Sequence, residues 1–149
     1  MRQQNNPAHN FRIQEVNWDA ASAALKTIRS QVFIEEQQVP MALEWDGLDD
    51  SAIHILALDN ETPIGCARLL QGGIIGRMAV LNAYRNMGIG HSILAAAIAI
   101  CKREQWFEIK LSAQMHALAF YQKAGFSICS GEYMDAGIPH KDMVLDLSI

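Results

Sequence analysis

The chain has 149 residues, of which 50% are apolar and 19% charged, as is typical of one globular domain with a substantial core. Its formal net charge is −4, and its 12 lysines and arginines are scattered along the chain. Because phosphate contacts need clustered basic side chains, this pattern argues against a nucleic-acid partner.

The first quarter of the chain predicts a tail, a strand and a helix. Residues 1–9 are polar and lack the apolar segment of a signal peptide, so we expect a frayed tail ahead of a single domain over residues 10–149. A loose alternation of apolar residues predicts a strand over 11–18. Asp19 is a plausible N-cap for a helix over 20–36, whose apolar residues recur every three or four positions.

An acidic segment and three strands follow. Pro40 ends the first helix, and residues 41–51 predict an irregular loop. Its carboxylates, which would either attract a cationic amine or simply cap backbone groups, are Glu44, Asp46, Asp49 and Asp50. Strands predicted over 53–58, 64–70 and 74–80 are joined by short turns, and this spacing implies an antiparallel meander.

The second half of the chain changes from hairpins to a crossover. A helix predicted over 88–103 is apolar nearly all round, which indicates burial against a sheet. Its apolar run over 93–101 is too short to span a bilayer, so we expect a cytoplasmic protein without a membrane partner. The strand predicted over 107–113 follows this helix and should lie parallel to the strand over 74–80. The remaining predicted elements are a helix over 116–123 and strands over 126–133 and 140–147.

These elements together predict an α/β fold, which some schemes class as α+β. We expect a single mixed, mostly antiparallel sheet of six to seven strands with helices on both faces. Its one parallel junction should join the strands over 74–80 and 107–113. Because ligands of open α/β sheets bind at the carboxyl ends of strands near such a junction, we expect the functional site there.

The motif Arg85-x-x-Gly88-x-Gly90 stands between the strand over 74–80 and the buried helix. A glycine loop ahead of a helix can hold phosphate, because the first N–H groups of a helix are free and its dipole favours negative charge. The two glycines have no Cβ, so an oxyanion can approach the backbone closely. Arg85 can add a charged fork to the same phosphates.

Three kinds of phosphate loop compete for this motif. A P-loop needs Lys followed by Ser or Thr after its last glycine, whereas His91 and Ser92 stand here. A dinucleotide-binding fold needs a third glycine, where Ile93 stands, and two βαβ halves, for which this chain is too short. The acyl-CoA loop, Gln/Arg-x-x-Gly-x-Gly/Ala, is matched at every fixed position, and an NAD(P)- or nucleotide-binding protein remains the competing class.

Cysteine and histidine patterns predict no metal site. The cysteines Cys66, Cys101 and Cys129 form no Cys-x-x-Cys pair and sit in apolar runs, so we expect buried free thiols in a reducing cytoplasm. The five histidines lack the spacing of metal ligands.

From about Phe11 to Leu147 the chain resembles the GNAT superfamily of N-acetyltransferases. The residues that carry the resemblance are Met78-Ala79-Val80 with the loop from Arg85 to Gly90, Ile109-Lys110-Leu111-Ser112-Ala113-Gln114, and Ala117-x-x-Phe120-Tyr121-x-x-x-Gly125-Phe126. Two further stretches resemble its ElaA/YjcF-like branch: Val32-Phe33-Ile34-Glu35-Glu36-Gln37 and Asp135-Ala136-Gly137-Ile138-Pro139-His140-x-x-Met143. The branch often has an acidic residue where Ala136 stands, so that side chain is not essential here.

The resemblance implies a GNAT fold with a V-shaped cleft between the strands over 74–80 and 107–113, and acetyl-CoA as co-substrate. The Val80 N–H would stabilise the oxyanion, and Tyr121 would be the general acid that protonates the departing thiolate. The implied cofactor-binding residues are Met78, Ala79, Val80, Arg85, Asn86, Met87, Gly88, Ile89, Gly90, His91, Ser92, Gln114 and Tyr121. Acetyl transfer would go directly to an amine within a ternary complex, because no cysteine stands at a nucleophile position.

The general base and the acceptor remain open at this stage. Glu35 and Glu36, at the end of the first helix, and His140, in the Gly-Ile-Pro-His stretch, are candidates for the base or for binding the acceptor. The acceptor would be a small-molecule amine or a peptide amine, and the protein a monomer or homodimer. The alternative function is a non-catalytic module of the same fold that binds acyl-CoA as a sensor or scaffold.

Overall fold

Eight strands form one mixed sheet in a computed structural model that describes residues 9–148. The predicted tail over residues 1–9 lies, apart from His9, outside the described residues. The strands are β1 (Phe11–Val16), β2 (Ile53–Asp59), β3 (Thr62–Leu70), β4 (Ile74–Val80), β5 (Glu108–Gln114), β6 (Ser127–Ile128), β7 (Tyr133–Asp135) and β8 (Ile138–Asp146). The helices are α1 (Trp18–Arg29), α2 (Met41–Glu44), α3 (Ile89–Arg103) and α4 (Leu118–Lys123).

The strand order is β1-β2-β3-β4-β5-β8-β6, and the short β7 pairs with β8. All pairs are antiparallel except β4 with β5, so the predicted meander and the single parallel junction are confirmed. The expected α/β fold with a mixed, mostly antiparallel sheet is likewise confirmed. Eight strands rather than six to seven result, because the last predicted pair divides into three.

Helices cover both faces of the sheet. Along β2, Ile55 and Ala57 belong to the apolar cluster that contains α3, whereas Leu56 and Leu58 belong to the cluster that contains α1. Successive strand residues point to opposite faces, so this alternation buries β2 on both sides. The strand therefore appears in the sequence as a continuous apolar run rather than as an alternating one.

The first helix begins two residues earlier than the sequence predicts, and Asp19 is not its N-cap. The Asn17 side chain accepts a hydrogen bond from the Ala20 N–H at 2.8 Å, which fills the capping role, and Asp19 lies in the first turn. Asn and Asp cap helices about equally well, so pattern alone did not separate them. The α-helical part ends at Arg29 and continues as a π-helix over Ser30–Glu36, so the whole helical segment reaches the predicted end.

Three other expectations need correction. The acidic segment 41–51 is not wholly irregular, since α2 begins directly after Pro40, whose fixed φ suits a helix start. The strand predicted over 126–133 is broken, because only Ser127 and Ile128 pair with β8 before the chain leaves the sheet. Cys129, in that break, is exposed rather than buried, while Cys66 and Cys101 are buried as expected. Within residues 9–148, no helix combines the length and apolarity needed to cross a membrane.

Candidate functional site

A cleft opens where β4 and β5 separate. These parallel strands pair only at Ile74 with Lys110 and at Ile75 with Leu111. Beyond these two pairs, β5 continues to pair with β8 on its other edge, and β4 continues to pair with β3. A cavity of about 720 Å³ lies at this separation.

A β-bulge in β4 accompanies the separation. Ala79 lies opposite Cys66 and Gly76 opposite Arg68, so Arg77 and Met78 together face the single residue between those partners. Arg77 has a φ of 49°, in the left-handed region that a bulky residue rarely adopts. A bulge bends its strand and increases the local twist, which directs β4 away from β5. The bulge therefore accounts for the opening of the cleft.

The cavity is lined by residues from the end of the first helical segment, β4, β5, α4 and the β7–β8 hairpin. The predicted site residues among them are Glu36, Met78, Ala79, Val80, Arg85, Gln114, Tyr121 and His140. Glu35 is exposed and lines a separate surface groove of about 330 Å³ instead. The other predicted cofactor residues, 86–92, follow Arg85 as the turn into α3 and do not line this cavity.

Tyr121 projects from α4 into the cavity, with its ring held edge-on by two phenylalanines. Ring centroids lie 5.0 Å from Phe120 and 5.9 Å from Phe126. The hydroxyl donates to the thioether sulfur of Met78 at 3.6 Å, which is a weak acceptor. Burial raises the pKa of Tyr121 to about 12, so the hydroxyl keeps its proton at neutral pH. The site thus presents a protonated hydroxyl with no strong acceptor engaged.

The glycine loop enters α3 through a left-handed residue. Gly88 has a φ of 82° and precedes α3, and the first intrahelical hydrogen bond runs from the Ser92 N–H to the Gly88 carbonyl oxygen. The N–H groups of residues 89–91 therefore lie ahead of the helical ladder, as at any helix start. A Cβ at Gly90 would meet the Phe120 ring at 3.3 Å, so glycine there lets α3 approach α4 closely.

Two polar side chains at the start of α3, those of Ser92 and His91, already make contacts within the protein. The Ser92 hydroxyl donates to the Gly88 carbonyl oxygen at 3.2 Å, so its oxygen stays available only as an acceptor. The exposed His91 ring packs 4.7 Å from the Phe120 ring centroid. Their predicted cofactor contacts stay predictions.

Arg85 ties the glycine loop to the end of the π-helix. Its Nε donates to the Val80 carbonyl oxygen at 2.9 Å, and its two Nη groups donate to the Glu36 carboxylate at 2.6 and 2.7 Å. This bidentate pair lowers the pKa of Glu36 and raises the pKa of Arg85. Arg85 thus joins the end of β4 to the end of the π-helix, and its predicted phosphate contact stays a prediction.

His140 faces the cavity from β8 with one nitrogen occupied. Its Nδ1 lies 2.7 Å from the Ile138 carbonyl oxygen, and a carbonyl only accepts, so Nδ1 carries the hydrogen. In the neutral ring Nε2 is then an acceptor. The residue is 8% exposed, so the ring is held in place with Nε2 as its one free lone pair.

Gln114, directly opposite His140 across the β5–β8 pair, closes the same wall of the cavity. Its Nε2 donates to Oε1 of Gln37 at 2.8 Å, which connects β5 to the residue that follows the π-helix. The predicted help of Gln114 to the cofactor remains a prediction, since this hydrogen bond uses one of its amide hydrogens.

A buried charge network borders the cavity, and neither interpretation of the acidic segment anticipates it. Three arginines pair with three carboxylates of residues 41–50 at distances of 2.7 to 3.3 Å. The arginines are Arg29, Arg68 and Arg77, and the carboxylates are Glu44, Asp46 and Asp49. Burial would raise the pKa of Asp46, but hydrogen bonds from Arg68 and the Leu48 N–H outweigh it and lower the pKa to about 2. These carboxylates are committed to arginines and do not serve as free amine anchors.

Arg29 is the residue that the sequence interpretation missed. Its side chain is 1% exposed, it contacts Glu44 and Asp49 at 2.8 and 2.7 Å, and it lies over the Trp45 ring. The signal was present, because Arg29 stands on the apolar face of α1, four residues after Leu25. A charged residue at such a position is almost never buried without a partner, and nearby carboxylates supply it.

The described residues contain no group of three His, Cys, Asp or Glu side chains suited to a metal ion. None of the cysteines in that part of the chain lines the cavity. Burial raises the pKa of Cys66 to about 12 and that of Cys101 to about 11, which leaves both as unreactive thiols.

Three features together are typical of acyltransferases with the GNAT fold. In the described residues the two parallel strands of a mixed sheet separate, a glycine loop precedes a buried helix, and a tyrosine hydroxyl lies in the opening. The family model described as an acetyltransferase (GNAT) domain matches residues 12–147. The chain belongs to the GNAT acetyltransferase family.

Known relatives lie in the ElaA/YjcF-like branch, to which this chain also belongs. It is 37% identical over 123 residues to the uncharacterized N-acetyltransferase YjcF of Bacillus subtilis (strain 168), covering 80% of this chain and 88% of YjcF. Protein ElaA of Escherichia coli (strain K12) is 31% identical over 133 residues, covering 83% and 86% of the two chains. The crystal structure of Escherichia coli ElaA matches with a TM-score of 0.83 at 28% identity, covering 92% and 100%. An acyl-CoA N-acyltransferase from Pseudomonas aeruginosa matches with a TM-score of 0.78 at 29% identity, covering 93% and 99%.

Proposed function

We propose that this protein is an acetyl-CoA-dependent N-acetyltransferase that transfers the acetyl group directly to a primary amine in a ternary complex. The observation that carries the proposal is the Tyr121 hydroxyl, which lies in the β4–β5 cleft with its proton retained and only a thioether as acceptor. A general acid for a thiolate needs a retained proton whose hydrogen bond is not committed to a strong acceptor. Family membership and the likeness to an acyl-CoA N-acyltransferase support the same conclusion.

The residues present fit acetyl-CoA, which would supply the acetyl group as a thioester. The N–H groups at the start of α3 and the open space around Gly88, where a Cβ would meet nothing within 4 Å, suit a pyrophosphate. The backbone of Met78 and Val80, along the bulged part of β4, suits the pantetheine arm. The cavity volume of about 720 Å³ leaves room for an acceptor beside it.

Three groups of this chain would each carry out one part of the acetyl transfer. The Val80 N–H donates a hydrogen bond to the thioester carbonyl oxygen as negative charge develops on it. Tyr121 gives its proton to the thiolate that leaves. His140 accepts the proton that the ammonium form of the acceptor must lose before its nitrogen can attack.

His140 is a better base than either glutamate. Glu35 lines a different groove, and Glu36 is held by both Nη groups of Arg85, which lowers its pKa and makes it a weaker base. His140 lines the cavity, and its Nε2 is the nitrogen left free by the bond from Nδ1 to Ile138. The acceptor would be a small-molecule amine or a peptide amine, and the free buried thiols favour the reducing cytoplasm.

Turnover of acetyl-CoA with a panel of primary amines, followed by release of free thiol, tests the function. We expect Tyr121→Phe to lower kcat by roughly 10²-fold or more, as loss of a general acid does, while CoA affinity changes little. Phe120→Leu, a change in the neighbouring ring that carries no proton, is the matched control and should retain most of kcat. An unchanged kcat in Tyr121→Phe removes Tyr121 from the mechanism. Tight CoA binding without thiol release for any amine would instead favour a non-catalytic acyl-CoA sensor.

A further inference from the structure

Beside the site lies a hydrogen-bonded group that the proposed reaction does not use: Ser112, Tyr133 and Asp142. We propose that Tyr133, anchored through its hydroxyl by Asp142 and Ser112, is a positioning residue that holds the imidazole of His140 in its working orientation. This inference rests on the proposed function of His140 as the base, and it assigns Tyr133 no contact with substrate.

Tyr133 and His140 are direct partners across the antiparallel β7–β8 pair. Their rings are stacked, with centroids 6.0 Å apart and planes 21° from parallel. Opposed residues in an antiparallel pair share one face of the sheet, so the register alone brings the two rings together. The register is fixed by a two-residue turn, in which Ala136 and Gly137 have φ values of 52° and 76°. Positive φ at both positions is the geometry of the tight hairpin turn that matches strand twist.

The Tyr133 hydroxyl is held from two other strands. It donates to Oδ1 of Asp142 on β8 at 2.5 Å, and the Ser112 hydroxyl of β5 is also within hydrogen-bond distance. Because the tyrosine hydrogen is directed to the carboxylate, the Ser112 hydroxyl is the donor in their contact. Asp142 is itself fixed, since its N–H donates to the Ser130 hydroxyl at 2.8 Å. Tyr133 is therefore anchored at its hydroxyl end, with its ring nearly parallel to the His140 ring.

This arrangement limits the imidazole to one orientation. The Ile138 carbonyl oxygen fixes Nδ1, the Tyr133 ring lies beside one face of the imidazole, and Nε2 is left for the cavity. Tyr133 belongs to neither of the two apolar clusters of the described residues, so its ring does not serve the main core. Orientation of a base by a third group is a recurrent arrangement in enzymes that transfer protons.

Nitrogen-15 NMR of the histidine rings in the full chain tests the inference without any substrate. At about pH 8.5 we expect the wild-type His140 ring to show a protonated Nδ1 and an unprotonated Nε2. His140→Gln assigns the signal among the five histidines. We expect Tyr133→Leu to replace this single tautomer by a mixture, whereas Tyr133→Phe keeps the ring and most of the signature. An unchanged tautomer in Tyr133→Leu overturns the proposal.

Kinetics with acetyl-CoA and the best amine of the panel give the second readout. We expect Tyr133→Leu to lower kcat by roughly 10-fold to 100-fold with little change in either KM, a smaller loss than the roughly 10²- to 10⁴-fold attributed to a general base itself, because His140 is still present. In a His140→Ala background the same substitution should have no further effect, because residues that act as one unit are not additive. An equal loss in both backgrounds means a general structural role and overturns the proposal.

Substitutions at the anchor keep the proposal testable if Tyr133→Leu folds poorly. Asp142→Asn retains an oxygen that can accept from the Tyr133 hydroxyl and should behave like wild type. Asp142→Ala, like Tyr133→Phe, removes the anchoring hydrogen bond but keeps the aromatic ring, so both should lose kcat by less than Tyr133→Leu does. Equal losses in Asp142→Asn and Asp142→Ala contradict the anchoring role. If no amine supports turnover in the wild type, the proposed function fails, while the NMR result still decides whether Tyr133 orients His140.

Discussion

At the scale of single residues, the two glycines of the loop have different physical reasons to be glycine. Gly88 adopts a φ of 82°, and a Cβ there would meet nothing within 4 Å, so its requirement comes from the backbone. Gly90 has no such φ, but a Cβ there would press on the Phe120 ring at 3.3 Å. Without a side chain at Gly88, the space next to the first N–H groups of α3 stays open. Without a side chain at Gly90, α3 can pack closely against α4.

Gly88→Val should weaken CoA binding by at least roughly tenfold, because a branched side chain fills the space above the free N–H groups of α3. Calorimetric titration with CoA measures the Kd directly. Gly72→Val is the matched control, since Gly72 has a φ of 94° and equally open surroundings but lies in the turn at the other end of β4. Both variants should lose comparable stability from backbone strain, and only Gly88→Val should lose affinity. An unaltered Kd in Gly88→Val rejects the loop as the phosphate site.

A second prediction at this scale concerns the pH dependence of stability. The folded-state pKa of Asp46 is lowered from 3.8 to about 2, so its contribution is complete above pH 3.8 and is lost as the pH falls through about 2. The full shift corresponds to roughly 2.4 kcal/mol, and since Asp46 is partly exposed we expect a measured loss nearer 1 kcal/mol. Urea unfolding between about pH 5 and pH 2 measures it. Asp46→Asn should lose correspondingly less stability over that interval, and an identical pH dependence in the two proteins contradicts the assignment.

At the scale of elements, the charge network joins three parts of the chain that border the cleft. Arg29 comes from α1, Arg77 from the bulge of β4, and their shared partner Glu44 from the end of α2. Arg77 also donates to the backbone carbonyl oxygens of Leu43 and Glu44 at 3.2 and 3.0 Å. The bulge that opens the cleft is thus held to the segment over 41–50 by charge-assisted hydrogen bonds, which are stronger than neutral ones.

Arg29→Met should destabilise the protein by roughly 3 to 5 kcal/mol, because it leaves Glu44 and Asp49 buried with too little positive charge. Met preserves much of the side-chain length, so the loss reports the missing cation more than a cavity. The matched control is Arg103→Met, which removes exposed pairs with Glu15 and Glu104 and should cost less than about 1 kcal/mol. Chemical unfolding of both variants gives the comparison. Equal losses would show that the network contributes no more than a surface pair.

Much of the architecture was predictable from local pattern. The strands β2 to β4 and the helix α3 are strongly apolar and bounded by turn residues, so their type and order follow from segment length and turn chemistry. Asn17 and Asp19 were not separable, because both side chains can cap a helix and only backbone geometry selects one. The break after Ile128 was missed because two-residue pairing leaves almost no periodic signal.

The positions of Tyr121 in the cleft and of Gly88 ahead of α3 were predictable, because each depends on a chain-local motif, while their roles stay predictions. The site was not predictable where it depends on partners far apart in sequence. The pairing of Glu36 with Arg85 spans 49 residues, and the contact of Arg29 with Asp49 spans 20. No periodicity encodes such pairs, since they arise only when the sheet brings separate elements together.

At the scale of the whole molecule, the sheet order separates two tasks. The strands β1 to β4 and α1 form one side, and β5, β8, β7 and α4 the other, with only two residue pairs joining β4 to β5. Tyr121 and His140 lie on the second side, whereas Val80 and the glycine loop lie on or after β4. A ligand that occupies the cleft contacts both sides and so adds bonds across a junction that has only two residue pairs.

CoA should therefore raise Tm, and NAD and ATP should not. A ligand that binds only the folded state at about 100 times its Kd adds roughly 2.7 kcal/mol, which for a chain of this size is about 5 to 10 °C in Tm. Differential scanning fluorimetry with each ligand at equal concentration gives the measurement, and Gly88→Val is the control in which the CoA effect should shrink. NAD shares the adenosine pyrophosphate of CoA but lacks the pantetheine arm. The difference in Tm between CoA and NAD therefore reports the contribution of the contacts that the pantetheine arm makes in the cleft. An equal rise in Tm with NAD would favour the dinucleotide-binding interpretation of the glycine loop. The loop would then bind its ligand without contacts in the Tyr121 cleft.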